Sequence, residues 1–282
     1  MKSLALYAFA AFLLLIAFQV RAQQMAVVEG VQMPAWVERA GARQPILPGM
    51  VLQPADVIHT GPGSRLLVRM SERSLVKLGE NGQLRFTEMS TTQELFRAAL
   101  GVLQGAFRFT TDIAAKNRRR EVSISVGGVT AGIRGTDLWG RSRDSTEIVC
   151  LIEGAIEVGA QGEQPVTMDQ PRQFYRRIGG QAQPIGLVEQ AQLEQWARET
   201  DLERGRGAAL VGGRFQAEIA RADNQSEALA VYDRLRNAGY PAEIRPLRQG
   251  EQTIYAVRIR NLATPADARA LEAKLKESVS GK

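Results

Sequence analysis

The sequence predicts a mainly β N-terminal domain, a sandwich or solenoid of short strands, followed by a small α+β domain of ferredoxin-like plan. Three observations lead there. Between Met25 and about Arg177, short apolar runs alternate with polar residues at period two and are cut by glycine-rich turns. Between Gly186 and Gly213 the apolar spacing changes to three and four. After Gly213 the runs read strand, helix, strand, strand, helix.

The first segment belongs to neither domain. After Lys2 the chain is almost wholly apolar from Leu4 to Phe18, reaches Val20-Arg21-Ala22 and turns polar at Gln23-Gln24. This is the pattern of a secretory signal peptide over residues 1–22, cleaved after Ala22. An uncleaved anchor is the alternative, because the run is close to the minimum length of a span. No cysteine lies near the junction, which excludes a lipid-modified N-terminus. Losing Lys2 and Arg21 takes the net charge from +6 to +4. In an exported protein a basic balance points to acidic envelope polymers, not nucleic acid, and no stable membrane insertion is expected once the leader is gone. The remaining ~260 residues suit about two domains. Cys150 is the single cysteine and sits in the apolar run "EIVCLIEG", so it reads as buried filler and the fold must rest on an ordinary core.

In the first domain Leu66, Val68 and Met70 alternate with Arg65, Leu67 and Arg69, and Val122, Ile124 and Val126 with Glu121, Ser123 and Ser125. Further strands are expected at 26–29, 36–39, 74–78, 84–86, 106–110, 147–151, 155–158 and 173–176. Gly61-Pro62-Gly63, Asn81-Gly82, Gly127-Gly128 and the pair Gly159 and Gly162 mark turns. "LQGAFRF" (103–109) and "IEGAIEV" (152–158) both place Gly-Ala before an alternating apolar pair, as if each strand were entered from a tight turn. Two copies do not make a repeat architecture. The Asn117-Arg118-Arg119-Arg120 cluster reads as a solvated hairpin tip.

Residues 131–140, "AGIRGTDLWG", combine the small residues of a ligand loop with an aspartate. As structure, Gly132 and Gly135 let the chain turn where a Cβ would clash, and Thr136 and Asp137 satisfy free backbone N–H groups. Arg134 is then held by a carboxylate or by turn carbonyls; as a ligand loop, Arg134 is the interaction candidate. The only histidine, His59, falls at a strand end in "DVIHTGPG" without the oriented base and nucleophile a hydrolytic triad needs. One His and one Cys far apart have no metal-ligand spacing, so no metal and no cofactor are expected. Glu147, Glu153 and Glu157 read as solvated strand faces before they read as a glycosidase's carboxylates.

The residues Leu47 to Phe86 ("LPGMVLQPADVIHTGPGSRLLVRMSERSLVKLGENGQLRF"), then "VSISVGGVTAGIRGTDLWG" and "TEIVCLIEGAIEV", resemble the FecR domain. That family carries a Leu-x-x-Gly-Asp-x-Ile-x-Thr-Gly opening, an Asp-Gly-Ser-x-Val-x-Leu strand, and an Arg-Gly-Thr turn ahead of a Glu-Gly-x-Val strand. The resemblance implies a FecR-like domain over 25–180 and a structural role for the Arg-Gly-Thr-Asp turn. Ser71-Glu72-Arg73-Ser74 stands where the family prefers Asp-Gly-Ser, a change at a hairpin tip.

Leu187, Val188, Ala191, Leu193, Trp196, Ala197 and Leu202 define an amphipathic connector helix over 187–204. Its stripe most simply packs back on the β domain; a partner surface centred on Trp196 is the sharper alternative. Gly205-Arg206-Gly207 and Gly212-Gly213 make 205–212 a short flexible linker. In the last module one helix closes at Gly239, and the other opens with Thr264 as N-cap and Pro265 at its first position. Residues 277–281 remain for a final strand. If the helices cover Phe215, Ala217, Ile219, Val257 and Ile259, alternation turns Gln216, Glu218, Arg258 and Arg260 to the open face.

With Ala228, Leu235, Gly239, Tyr240, Tyr255, Val257, Ala268 and Leu275 in the matching places, residues 213–282 are similar to the SPOR domain. The resemblance implies binding of peptidoglycan glycan strands across that open face, whose polar side chains suit sugar hydroxyls and whose cations suit carboxyl groups. Ala220-Arg221-Ala222 and Arg260-Asn261-Leu262 replace the family's Gly-Ala-Phe and Gly-Pro-Phe. The expectation is a non-enzymatic periplasmic protein: a recognition or scaffold domain tethered to the wall. A signalling component acting through the Trp196 helix on a membrane partner, an envelope protein, is the second reading, and a wall-active hydrolase the third.

Overall fold

The computed structural model describes residues 24–92, 94–111, 119–133 and 135–280. The predicted leader and Arg134 lie outside them. The first domain contains two sheets that share one long strand, Leu95–Thr110. Its first half pairs with Gln83–Thr91 and, in parallel, with Arg119–Val126. Its second half pairs with Leu75–Leu78 and Asp137–Arg143. One sheet continues through Val129–Ile133 and Ile156–Ala160, the other through Thr146–Glu153 and Gln173–Ile178. Val28, Val68 and Phe109 from one sheet and Ile58, Phe86, Leu100 and Ile124 from the other fill a single core, each 2% exposed or less. Period-two alternation is the cause: Phe96, Ala98, Leu100 and Val102 face in, while Arg97 and Leu103 do not.

Three of the crossings between sheets turn at glycines. Gly105 (φ +87°) bends the shared strand, and its close neighbour is the Cα of Gly82, 2.6 Å from where a Cβ would sit. Gly135 (φ +68°) carries the chain from Val129–Ile133 to Asp137–Arg143, and Gly154 (φ +94°) carries it from Thr146–Glu153 to Ile156–Ala160. The last two corners lie against each other: a Cβ on Gly154 would meet the Gly135 carbonyl oxygen at 2.7 Å. The Gly-Ala echo therefore marks two sheet crossings and not a repeat.

The outer face of the second sheet carries Trp139 and Cys150, both fully buried, with Phe174 beside them. Helix α1 (Gln190–Arg198) covers this face. It is shorter than the 187–204 expected. Leu187 lies in a short strand paired with Gln173–Ile178 and is 65% exposed. After Arg198 the chain leaves the helix, and Thr200 donates its hydroxyl to the Ala197 carbonyl at 3.0 Å. Beyond it, Lys77 pairs with Asp201 at 2.6 Å and Gln32 accepts the Glu203 N–H at 3.1 Å.

The expected flexible linker is replaced by a strand. Ala208–Leu210 pairs antiparallel with Ala26–Gln32 and meets Leu262 of the last module through Ala209. Small side chains suit this slot, which is closed on both faces: the adjacent Ala208 and Ala209 are 3% and 0% exposed. Asp267, fully buried, locks it by accepting N–H groups from Gly205 (2.8 Å), Gly207 (3.0 Å) and Ala208 (3.0 Å) and the Thr264 hydroxyl (2.5 Å). The glycines that read as a joint thus serve as a backbone cradle for a carboxylate.

The last module runs strand Phe215–Ala222, helix α2 (Gln225–Asn237), strands Glu243–Gln249 and Gln252–Leu262, and helix α3 (Pro265–Ser280). Residues 277–280 prolong α3, so the stretch kept for a final strand is helical. Asn224 caps α2 by accepting the Glu227 N–H at 2.9 Å, and Thr264 caps α3 by accepting the Asp267 N–H at 3.1 Å. Gly239 (φ +84°) ends α2 against the first domain: its carbonyl accepts the Ala35 N–H at 3.2 Å, and a Cβ would strike the Trp36 ring at 2.6 Å. The Trp36 indole donates to the Asn237 carbonyl at 3.3 Å.

Candidate functional site

The strand Gln252–Leu262 is the centre of the module's sheet, between Phe215–Ala222 and Glu243–Gln249. Ala217, Ile219, Val257 and Ile259 are buried under the helices as alternation requires. Phe215 is not: it is 40% exposed, because a register shift between Phe215 and Ala217 breaks the alternation. A second shift, between Glu218 and Ala220, places Arg221 opposite Ala256 and so adds it to the open face.

The four residues expected on that face are on it, but two of them, Arg258 and Arg260, gather on a fifth, Glu243. Arg258 lies between Glu218 and Glu243 in the ladder. Its Nε donates to Glu243 at 2.6 Å and its Nη1 to the Gln216 side chain at 3.0 Å, which leaves the side chain only 12% exposed. Arg260 stands 3.7 Å from the same Glu243 oxygen and is 58% exposed. Glu218 turns instead to Arg221 at 2.5 Å, and its N–H is taken by Glu272 at 3.1 Å. Sequence reasoning missed Glu243, Arg221 and Arg245. Glu243 and Arg245 carry the parity of Arg258 and Ala256 across the ladder, so alternation in "PAEIRPL" could have placed both. Arg221 was hidden by the bulge. Four arginines and two glutamates leave the face cationic, and a hydrogen-bonding surface of this kind suits a polymer carrying hydroxyl and carboxyl groups.

Other candidates are accounted for by packing. Trp196 stacks on Trp139, ring centroids 4.5 Å apart and 6° from parallel, and meets Phe174 edge-on at 6.3 Å. The Trp196 ring is half-buried: one side packs on the Trp139 cluster and the rest borders the groove beside α1. Asp137 holds Arg108 in a two-point pair at 2.9 and 2.7 Å, where the sequence suggested a turn N–H. The Thr136 hydroxyl donates to the Ala155 carbonyl at 3.2 Å, fastening the two crossings together. Asp56 makes the same kind of pair with Arg39, at 2.8 and 2.7 Å. Ala55 before it takes φ +71°, the left-handed region for which the FecR pattern supplies glycine.

His59 faces Glu38 at 3.5 Å, and burial, with Arg43 nearby, lowers its pKa against the pull of that glutamate. Cys150 is buried without a disulfide, and burial pushes its thiol up to about 12, which makes it unreactive. Among the described residues there is no group of His, Cys, Asp and Glu able to hold a metal, and no helix long and apolar enough to cross a membrane.

Comparison with known families now fits this geometry. The FecR protein family matches residues 56–157 and the SPOR domain matches residues 213–282. Both are non-catalytic families, and together they support an envelope signalling or peptidoglycan-binding role. No curated protein matches the chain. Two crystal structures of a protein from Parabacteroides distasonis described as a "putative anti-sigma factor" are similar at 13% identity. Each match covers 77% of this chain, with 91% and 90% of the other and TM-scores of 0.42 and 0.41. At those scores the likeness carries no argument.

Proposed function

With a FecR domain and a SPOR domain in one chain as the premise, we propose that this is a non-enzymatic periplasmic protein, exported by residues 1–22, that holds peptidoglycan glycan strands on the open face of its last sheet. Gln216, Glu218, Arg258 and Arg260 contact the glycan, with Glu243 orienting Arg258. The FecR-like domain is a recognition or scaffold unit. The observation that carries this reading is the uncovered cationic face on which Glu243 and Gln216 fix Arg258, only 12% exposed, while Arg260 beside it is 58% exposed and open to a ligand. The linking strand Ala208–Leu210 refines it: the wall-binding face is held at a fixed attitude to the first domain, not on a loose tether. A signalling role through the α1 surface is the second reading, favoured by the part of Trp196 that its stack on Trp139 leaves exposed.

Co-sedimentation of the full chain with purified sacculi tests the proposal, comparing material stripped of stem peptides with material that retains them. The expected result is preferential binding to stripped sacculi and a several-fold lower bound fraction for Arg260→Ala, whose exposed side chain can be removed with little effect on folding. Equal binding by Arg260→Ala, or release of soluble wall fragments by the protein, would sink it.

A further inference from the structure

At the junction of the first domain with the segment after α1, a cavity of about 150 Å³ is lined by Arg65, Glu80, Ala106, Arg141, Arg143 and Glu199. This is well beyond the roughly 10–15 Å³ that one water needs. Its charges do not cancel. Glu80 is committed to the Gly63 N–H at 2.7 Å. Glu199 reaches Arg141 only at 3.3 and 3.5 Å. Arg143, exposed at the rim, has no ion pair among the described residues. Arg65 is 9% exposed; its Nη1 donates to the Ser64 carbonyl at 2.8 Å, its Nη2 stands 3.8 Å from Glu203, and its buried Nε has no hydrogen-bond partner. A buried guanidinium with an unmade hydrogen bond is costly, and planar oxyanions are the group its fork fits best.

We propose that this cavity binds a small oxyanion, a phosphate or carboxylate group, held by Arg65, Arg141 and Arg143. Ala106 forms an apolar wall, and the anion takes the position at Arg141 that Glu199 fills at long distance. Glu199 is in an uneasy place already: burial raises its pKa although Arg141, Arg143 and Arg65 all pull it down. The bound anion would join the first domain to the segment that leads into the linking strand.

Arg141 lies 5.5 Å from the Trp139 ring, which stacks on Trp196, so tryptophan fluorescence should report occupancy. The full chain is titrated at pH 7 and constant ionic strength with inorganic phosphate, and separately with acetate, each against chloride. A saturable change with phosphate, acetate or both is expected, and the better probe identifies the group. Arg143→Ala should weaken binding about tenfold, the loss of one charge-assisted hydrogen bond. Glu199→Gln should tighten it by removing the competing carboxylate, and Arg198→Ala should leave it unchanged. A linear response to both probes, or the wild-type curve in both Arg143→Ala and Glu199→Gln, overturns the proposal. Because the readout involves no sacculi, its failure is distinct from failure of wall binding.

Discussion

Two faces of one continuous sheet end differently. Across Asp137–Arg143, Thr146–Glu153 and Gln173–Ile178 the outward residues include Trp139, Cys150 and Phe174, and α1 lies over them. Across Gln252–Leu262 the outward residues include Arg258 and Arg260, braced by Glu243 and Gln216, and no element among the described residues covers them. The difference is one of residue type at the same parity. An apolar outer face must be buried, at about 25 cal/mol for each Å² taken from water, whereas an ion-paired face gains little from cover and would lose its hydration. Function is accordingly sought on the second face and stability on the first.

The largest expected effect breaks the covered face. Trp139→Ala should destabilise the chain by about 3–5 kcal/mol, read as a lower denaturant midpoint. Trp196→Asp should also be strongly destabilising, since it sets a carboxylate against the Trp139 ring. If Trp196→Asp left the midpoint unchanged, α1 would not be sealing an apolar face, and the distinction between the two faces would fail.

The next effect lies where the faces are joined. Asp267→Asn should cost roughly 2 kcal/mol or more at neutral pH, because the carboxylate serves three backbone N–H groups and a hydroxyl. Burial pushes the Asp267 pKa up, but the hydroxyl of Thr264 and the N–H groups of Ala208, Gly205 and Gly207 outweigh it, and the folded value lies below the usual one. A carboxyl depressed in this way stabilises the folded chain fully above its unfolded pKa and loses that contribution as pH falls through the folded value. The gap between wild type and Asp267→Asn should therefore close in acid, as pH falls from the ordinary carboxylate range through the depressed folded value. A gap independent of pH would mean that the cradle is held by shape and not by charge. A smaller loss, about 1–3 kcal/mol, is expected for Gly239→Ala, which forces a Cβ onto Trp36 at positive φ. Faster proteolytic separation of the two domains would show that this contact is what docks them.

How much of this could be read in the sequence follows from the range of the forces involved. Alternation is local, so Leu66, Val68, Val122, Ile124, Val257 and Ile259 were legible as inward and Arg258 and Arg260 as outward. The caps at Thr264 and Gly239 were legible for the same reason. The linking strand was not: Gly205, Gly207 and Gly212 look like a joint, and only Asp267, some sixty positions away, turns the N–H groups of Gly205 and Gly207 into an anchor. The bulges that expose Phe215 and bring Arg221 to the open face are also invisible, because register belongs to a pair of strands. Gly135, Thr136 and Asp137 were legible as structural, yet their task of carrying the chain between sheets needs the partner corner at Gly154.

The smallest effect sharpens the open face. Glu243 is 40% exposed and pairs with both Arg258 and Arg260, so Glu243→Gln should change stability by no more than about 1 kcal/mol while keeping an acceptor for Arg258. It removes a negative charge from the centre of the face and leaves the arginines in place. If those cations act on carboxyl groups of the wall polymer, the sacculus-bound fraction should rise, and the gain should fade as added salt shortens the screening length. A fall in binding at all salt concentrations would instead show Glu243 accepting hydroxyl protons from the glycan, which would make hydrogen bonding, and not charge, the reason this face is left bare.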